Sequence, residues 1–435
     1  MEMNIKTIID KLFGNLLSDI SGLRVYSSSE NIDVGLIEHI DIELFNACVH
    51  QLRDAGFRQL QSSEADNFLS YTFAVENIML VLGFDSKAGE LRIVADSESP
   101  MLDTVIKSEC LCPVRLWQYE IDHSLIDCGM CYIFQCSDYS FFIIDSAHIY
   151  SVNDDQRIYN FLRENTPAGM PVTVSGWFFS HGHVDHIGKF VDILRYNKDI
   201  IIKGLYFNFV PCDHFSSYAW MHSDILHTEE FYREISKHKD IPVYKLHSGQ
   251  YFCIDSLRID VLCTHEDVYP HDLENYNDSS TVIMVTVGED KICFPGDAGG
   301  RESEILERRF PSFLKSDIMQ VAHHGHFGTS SDFYKLSGSK VALFATTQIK
   351  FDEELPHYEA NGTVCEIAEH VFIASNGTVC FTFPLQTSDI EIYPDEIIEN
   401  FDGVYNLWGY SYSDDFKNEL IKMHKNNNKY RKIKY

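Results

Sequence analysis

Apolar positions in the first hundred residues follow one helical period and then a series of short runs. The stretch "IELFNACVHQLRDAGF", beginning at Ile42, repeats its large apolar side chains every three to four residues, as a helix with one buried face does. After it come "FLSYTFAV", "NIMLVLGFD" and "ELRIVADS", the last two joined by the turn-like "SKAG". These read as strands of an antiparallel sheet with the helix packed on it. Residues 1–110 are therefore expected to form a small α+β domain, opened by an amphipathic helix in "MEMNIKTIIDKLFGNLLSDI".

Beyond about residue 110 the rhythm changes. Strand-like runs ("CYIFQC", "SFFIIDS", "VTVSGWFFS", "IIIKGLYFNFV", "TVIMVTVG", "KICFPGD", "DIMQVA") alternate with amphipathic stretches ("DDQRIYNFLREN", "HTEEFYREISKH", "EILERRF"). That alternation predicts an α/β domain over 111–385, its sheets flanked by helices. Residues 386–435 are left as a C-terminal extension.

Composition narrows the function classes. The formal charge of −30 repels phosphate backbones and anionic membranes, which disfavours a general nucleic-acid role. The one local exception is the basic tail with Lys422, Lys425, Lys429, Arg431, Lys432 and Lys434, read as solvated. No run of 18 apolar residues occurs, so no membrane span is expected. The start lacks the basic and apolar regions of a secretory signal, and the twelve cysteines are scattered through apolar runs as buried thiols are. Cytoplasm is the expected compartment. Cys110, Cys112, Cys128 and Cys131 are close enough in sequence to raise a four-thiol zinc site, but "GMCYIFQC" runs straight into a strand that would bury one of them.

Chemistry concentrates at "SHGHVDHIG", residues 180–188. A buried strand precedes it and a helical pattern follows, so it lies in a strand-to-helix turn, where open sheets place their ligands. His181 and His183, two apart in extended chain, face the same way and can grip one cation. Asp185 and His186 follow the bend toward a second. Two metal sites need more ligands than one turn supplies. The remainder are expected at other strand ends: "CFPGDAGG", "QVAHHGHFG" and "ELPHYEANG".

With these residues in place the sequence resembles the metallo-β-lactamase fold hydrolases over about 270 residues. Its pattern is nearest to the hydrolase domain of competence DNA-uptake proteins and to the teichoic-acid phosphorylcholine esterases. The His-x-His-x-Asp-His motif is matched in full. The downstream features are Asn277 and Ser280 of "NDSSTVIMV", Gly296 and Asp297 of "FPGD", and His323 and His324 of "VAHHG". The resemblance implies an αββα sandwich with His181, His183 and His323 on one metal, Asp185, His186 and His357 on the other, and Asp297 bridging them. His357 lies in "LPHYEANG", which departs from the Tyr-Gly-His-Pro form of competence proteins. His265 is a rival ligand, because other branches of the superfamily use a histidine between the motif and the Gly-Asp.

The activity implied is hydrolysis by two divalent ions, zinc favoured over manganese or iron by the mixed imidazole and carboxylate donors. A metal-bridging hydroxide would attack, Asp185 would orient the water and move its proton, and His324 would protonate the leaving group. A phosphodiester, as a small molecule or an end group, is the expected substrate. Lactones, thioesters or amides form the enzymatic alternative, and a metal-stabilised binding module without turnover the other. Residues 1–110 carry no chemical motif, so they are read as an accessory domain that shapes access or meets a protein partner.

Overall fold

The computed structural model describes residues 23–393, apart from 30, 108–109, 124–125, 152, 212–221 and 274. The expected N-terminal helix and the basic tail lie outside the described residues. Residues 24–96 form a six-stranded antiparallel sheet in the order Arg24–Ser29, Ile32–Glu38, Glu90–Asp96, Ile78–Asp85, Phe68–Val75, Arg58–Ala65. The helix Ile42–Asp54, capped by the Asp41 carboxylate on the Leu44 amide, lays Phe45, Cys48, Val49 and Leu52 on one face of it.

The strand Ile78–Asp85 explains why its sequence lacks polar alternation. Leu80, Leu82 and Phe84 meet the helix, while Met79 and Val81 are buried with Val34 and Val94 on the opposite face. A strand covered on both faces must be apolar at successive positions. The edge strand Arg58–Ala65 is half exposed and mostly polar, which suits a sheet edge and is why no apolar run marked it.

The remaining chain forms two sheets face to face. One contains Arg115–Gln118, Tyr132–Gln135, Phe141–Ile144, Thr173–Phe178 and Thr378–Thr382; the other runs in order from Tyr251–Ile254 to His370–Ile373. Between them lies a core in which Tyr132, Phe134, Phe142 and Phe178 of the first sheet pack with Ile259, Ile283, Val285, Phe294 and Leu343 of the second. Helices Asp154–Glu164, Val184–Tyr196 and His222–Ile235 cover the outer face of the first sheet, packing through Ile158, Leu162, Phe190 and Phe231. Helices Gly300–Arg309, Ser331–Ser337 and Glu359–Ile367 cover the second through Leu306, Phe333 and Val364. The result is the expected αββα arrangement with a small N-terminal unit of mixed helix and sheet.

Two local differences from the sequence reading have plain causes. The run "IIIKGLYFNFV" forms two pairs of strand residues, Ile201–Ile202 and Leu205–Tyr206, separated by Lys203-Gly204. Glu391–Tyr393, past residue 385, pairs antiparallel with Thr378–Thr382 and extends the first sheet. The cysteines among the described residues are free thiols, most of them buried. No helix among the described residues is long and apolar enough to cross a membrane.

Candidate metal centre

The strand Thr173–Phe178 is buried at Trp177 and Phe178, and it delivers Ser180 and His181 to the sheet's edge. His183 is the extended N-cap residue of the helix Val184–Tyr196. The glycines of the motif are required by close approach. A Cβ on Gly188 would lie 2.3 Å from the Ile149 amide nitrogen, and one on Gly182 would lie 2.3 Å from the Tyr276 hydroxyl. Either substitution would force backbone or a buried ring to move.

Four imidazoles surround one carboxylate oxygen. Asp297 Oδ2 is 3.3 Å from His186 Nε2, 3.5 Å from His324 Nε2, 3.8 Å from His181 Nε2 and 3.9 Å from His323 Nε2. Asp185 Oδ2 adds 2.9 Å to His324 Nε2 and 3.6 Å to His186 Nε2. The ligating atoms form two groups that share Asp297: Asp185, His186, Asp297 and His324, and His181, His183 and Asp297. Within each group they lie within 4.8 Å of one another.

The chemistry of this donor set fits a metal. His186 Nδ1 is 2.7 Å from Asp145 Oδ2, and His324 Nδ1 is 3.0 Å from the Ala345 carbonyl oxygen. Those acceptors hold each ring's proton on Nδ1 and leave Nε2 as a lone pair aimed inward. The two Nε2 atoms are 3.2 Å apart, close to the separation of two ligands on one ion. Ligands about 2.05 Å from a tetrahedral ion are separated by about 3.3 Å. Asp297 Oδ1 is buried without a hydrogen-bond partner, which a metal bond would satisfy.

Electrostatics give the same answer. Burial opposes charge on His186, yet the carboxylates of Asp297, Asp185 and Asp145 hold its pKa well above the usual value. Burial also opposes charge on His324, but Asp297 and the hydrogen bond to Asp185 push it up to about 10. Against their own burial, Asp185 and Asp297 are held well below the usual carboxylate range, chiefly by His186. Without metal the centre compensates its carboxylates with protons on imidazoles, and a divalent cation would supply that charge.

The structure brings together His181, His183, Asp185, His186 and Asp297, and it redistributes the later histidines. His357 is exposed and stands in neither group. After the strand Val341–Phe344 the chain is capped by Thr347 into the helix Gln348–Glu354, which carries it away before His357 is reached. His324 joins the Asp185 group instead, which makes it a ligand candidate. His323 borders the other group, with Nε2 3.0 Å from Asn277 Nδ2. His323 and His324 both have positive φ, 50° and 58°, and this tight bend directs neighbouring residues to different partners. His265 is buried, with Nδ1 3.0 Å from the Asn208 carbonyl oxygen, and belongs to neither group.

Sequence reasoning missed the supporting residues. Asp145 ends the apolar run "SFFIIDS", a carboxylate at a strand end, which was the available signal. It also accepts from the Ser180 amide and hydroxyl. Tyr276 stacks edge-on against His183 at 5.1 Å and hydrogen-bonds Thr228, which donates to the Gly182 carbonyl oxygen. Asp224 Oδ2 is 3.6 Å from His183 Nε2. Replacing Asp145 with Asn should weaken metal binding by about 10–100-fold. A chelator-competition titration measures this, and unchanged affinity would mean that His186 is oriented without Asp145.

Residues 167–336 match the family described as the Metallo-beta-lactamase superfamily. No curated protein matches it in sequence. Among solved structures it is similar to the metallo-beta-lactamase fold protein YhfI from Bacillus subtilis, at 12% identity and a TM-score of 0.37 over 60% of this chain and 97% of that one. It is also similar to unliganded yeast PDE1, at 10% identity and TM-score 0.36, over 60% of this chain and 97% of that one. A third is CmlA, a diiron β-hydroxylase from Streptomyces venezuelae, at 10% identity and TM-score 0.36. The match covers 66% of this chain and only 55% of CmlA.

Proposed function

We propose that the protein is a metal-dependent hydrolase that holds two divalent ions, zinc foremost, and cleaves a phosphodiester in a small molecule or at an end group. The observation that carries this reading is the single carboxylate, Asp297, shared by two groups of ligating atoms. Ions bound there would lower the pKa of a water toward neutrality and withdraw charge from the scissile group. In this reading Asp185 handles that water's proton, which its 14% side-chain exposure against 1% for Asp297 supports. A phosphodiester is supported by the resemblance in motif pattern and by the cationic character of a paired-ion site, which suits an anionic group locally although the surface as a whole is acidic.

The test is turnover of bis(p-nitrophenyl) phosphate by protein stripped with chelator and then reloaded with zinc, manganese or iron. Metal-restored turnover is the expected result. Cleavage of lactones or thioesters with none of the phosphodiester would assign the same centre to acyl chemistry. Binding of two ions with no turnover on any of these would leave a binding module.

A further inference from the structure

The segment 264–279 touches the metal centre at one end and the N-terminal sheet at the other. At the centre, Tyr276 packs on His181 and His183, and Asn277 hydrogen-bonds His323. Asn275 fixes this turn by accepting from the amides of Asn277 and Asp278, and the Asp278 carboxylate accepts from the Asn275 amide. At the other end, the Asp267 carboxylate accepts from the Thr264 amide at 3.0 Å and pins the start of a short helix, His265–Val268. Leu273 lies between the two, packed against the cluster that includes Val268 and against the one formed by Val210 and Tyr276.

The N-terminal sheet grips the first end through buried charge. Arg92 Nη1 donates to the Glu266 carbonyl oxygen at 2.9 Å, and Arg92 Nε lies 3.8 Å from Asp267 Oδ1. Arg309 Nη1 donates to the same Asp267 oxygen at 2.7 Å, and its Nε donates to Asp85 of the sheet at 3.3 Å. His247 is clamped between Asp96 of the sheet at 3.1 Å and Glu266 at 2.9 Å. Although burial opposes its charge, Glu266 and Asp96 push its pKa up to about 10, so it stays a cation at neutral pH. Outside the charges, Tyr26 of the edge strand stacks on Tyr269 at 4.6 Å. Partners arranged this way hold one geometry, because any slip leaves a buried charge unpaired.

We infer that the N-terminal sheet is a positioning element of the metal centre: through Arg92 and Tyr26 it sets the segment 264–279, and through Tyr276 and Asn277 that segment sets His181, His183 and His323. Arg92 touches no proposed ligand, so it is a positioning residue. An accessory domain that only shapes access would not need a grip on this segment. The inference rests on the metal-centre reading for its second step and on packing alone for its first.

The test uses the full chain. In metal-free protein, Arg92→Met should raise amide hydrogen exchange over 264–279 by about tenfold. In zinc titrations it should weaken one of two dissociation constants by about 10-fold, the one that His181→Ala identifies. The constant belonging to the Asp185 group should stay put, and Arg92→Lys should recover part of the loss. Leu82→Ala, which cuts the sheet's own core under its helix, serves as the control for general loosening. Unchanged exchange over 264–279 would overturn the first step. Raised exchange with both constants intact, or the same selective loss in Leu82→Ala at a matched loss of Tm, would overturn the second. If the unmodified protein binds no zinc, the metal reading fails, while the exchange result still decides whether Arg92 sets the segment.

Discussion

Asp297→Ala should strip the protein of both ions at once and reduce hydrolysis by more than about 10³-fold. One oxygen of this carboxylate stands within 4 Å of His181, His186, His323 and His324, and the other is buried with no protein partner. Losing a single electrostatic donor in an enzyme site costs about 10²–10³ in kcat, and this residue would serve two ions. No single-histidine variant should match it, because each histidine belongs to one group. Elemental analysis after metal-replete expression, with a thermal melt to confirm folding, is the measurement. Retention of one full equivalent would show that the groups bind independently and that Asp297 is not shared.

The second large effect separates two histidines that sequence resemblance and structure treat differently. His324→Ala should lose one ion of two and lower kcat/KM by at least about 10²-fold, whereas His357→Ala should leave metal content and turnover unchanged. His324 Nε2 sits 2.9 Å from Asp185 and 3.2 Å from His186; His357 is exposed beyond the helix Gln348–Glu354. His323→Ala should affect the His181 group, since its ring meets Asn277 and Asp297. Metal analysis of the three variants side by side checks the assignment. A loss in His357→Ala with none in His324→Ala would restore the ligand set implied by the motif pattern.

The sheets flanked by helices and half of the cluster were legible because they depend on local rules. A helical period in "IGKFVDILRY" and the buried run "VSGWFFS" place His181 to His186 at a turn, and two-residue spacing makes His181 and His183 neighbours in space. The Gly-Asp after "KICFP" sits at the end of its strand for the same reason. The edge strand Arg58–Ala65 escaped because a half-solvated strand has no apolar run to mark it.

The amino-acid sequence by itself determined the alternation of strands and helices and the strand-to-helix turn that carries His181, His183, Asp185 and His186, since hydrophobic period and motif spacing act over a few residues; the layered sandwich and Asp297 came with the family resemblance. Only the tertiary structure decided which late histidine joins them. That choice depends on the positive-φ bend at His323 and His324 and on the helix that Thr347 caps. The same holds for Asp145 on His186 and for Arg92 on the Glu266 carbonyl oxygen, partners 41 and 174 residues apart. Such pairings have no spacing to read, because they form only where sheets and loops from distant parts of the chain are packed against one another.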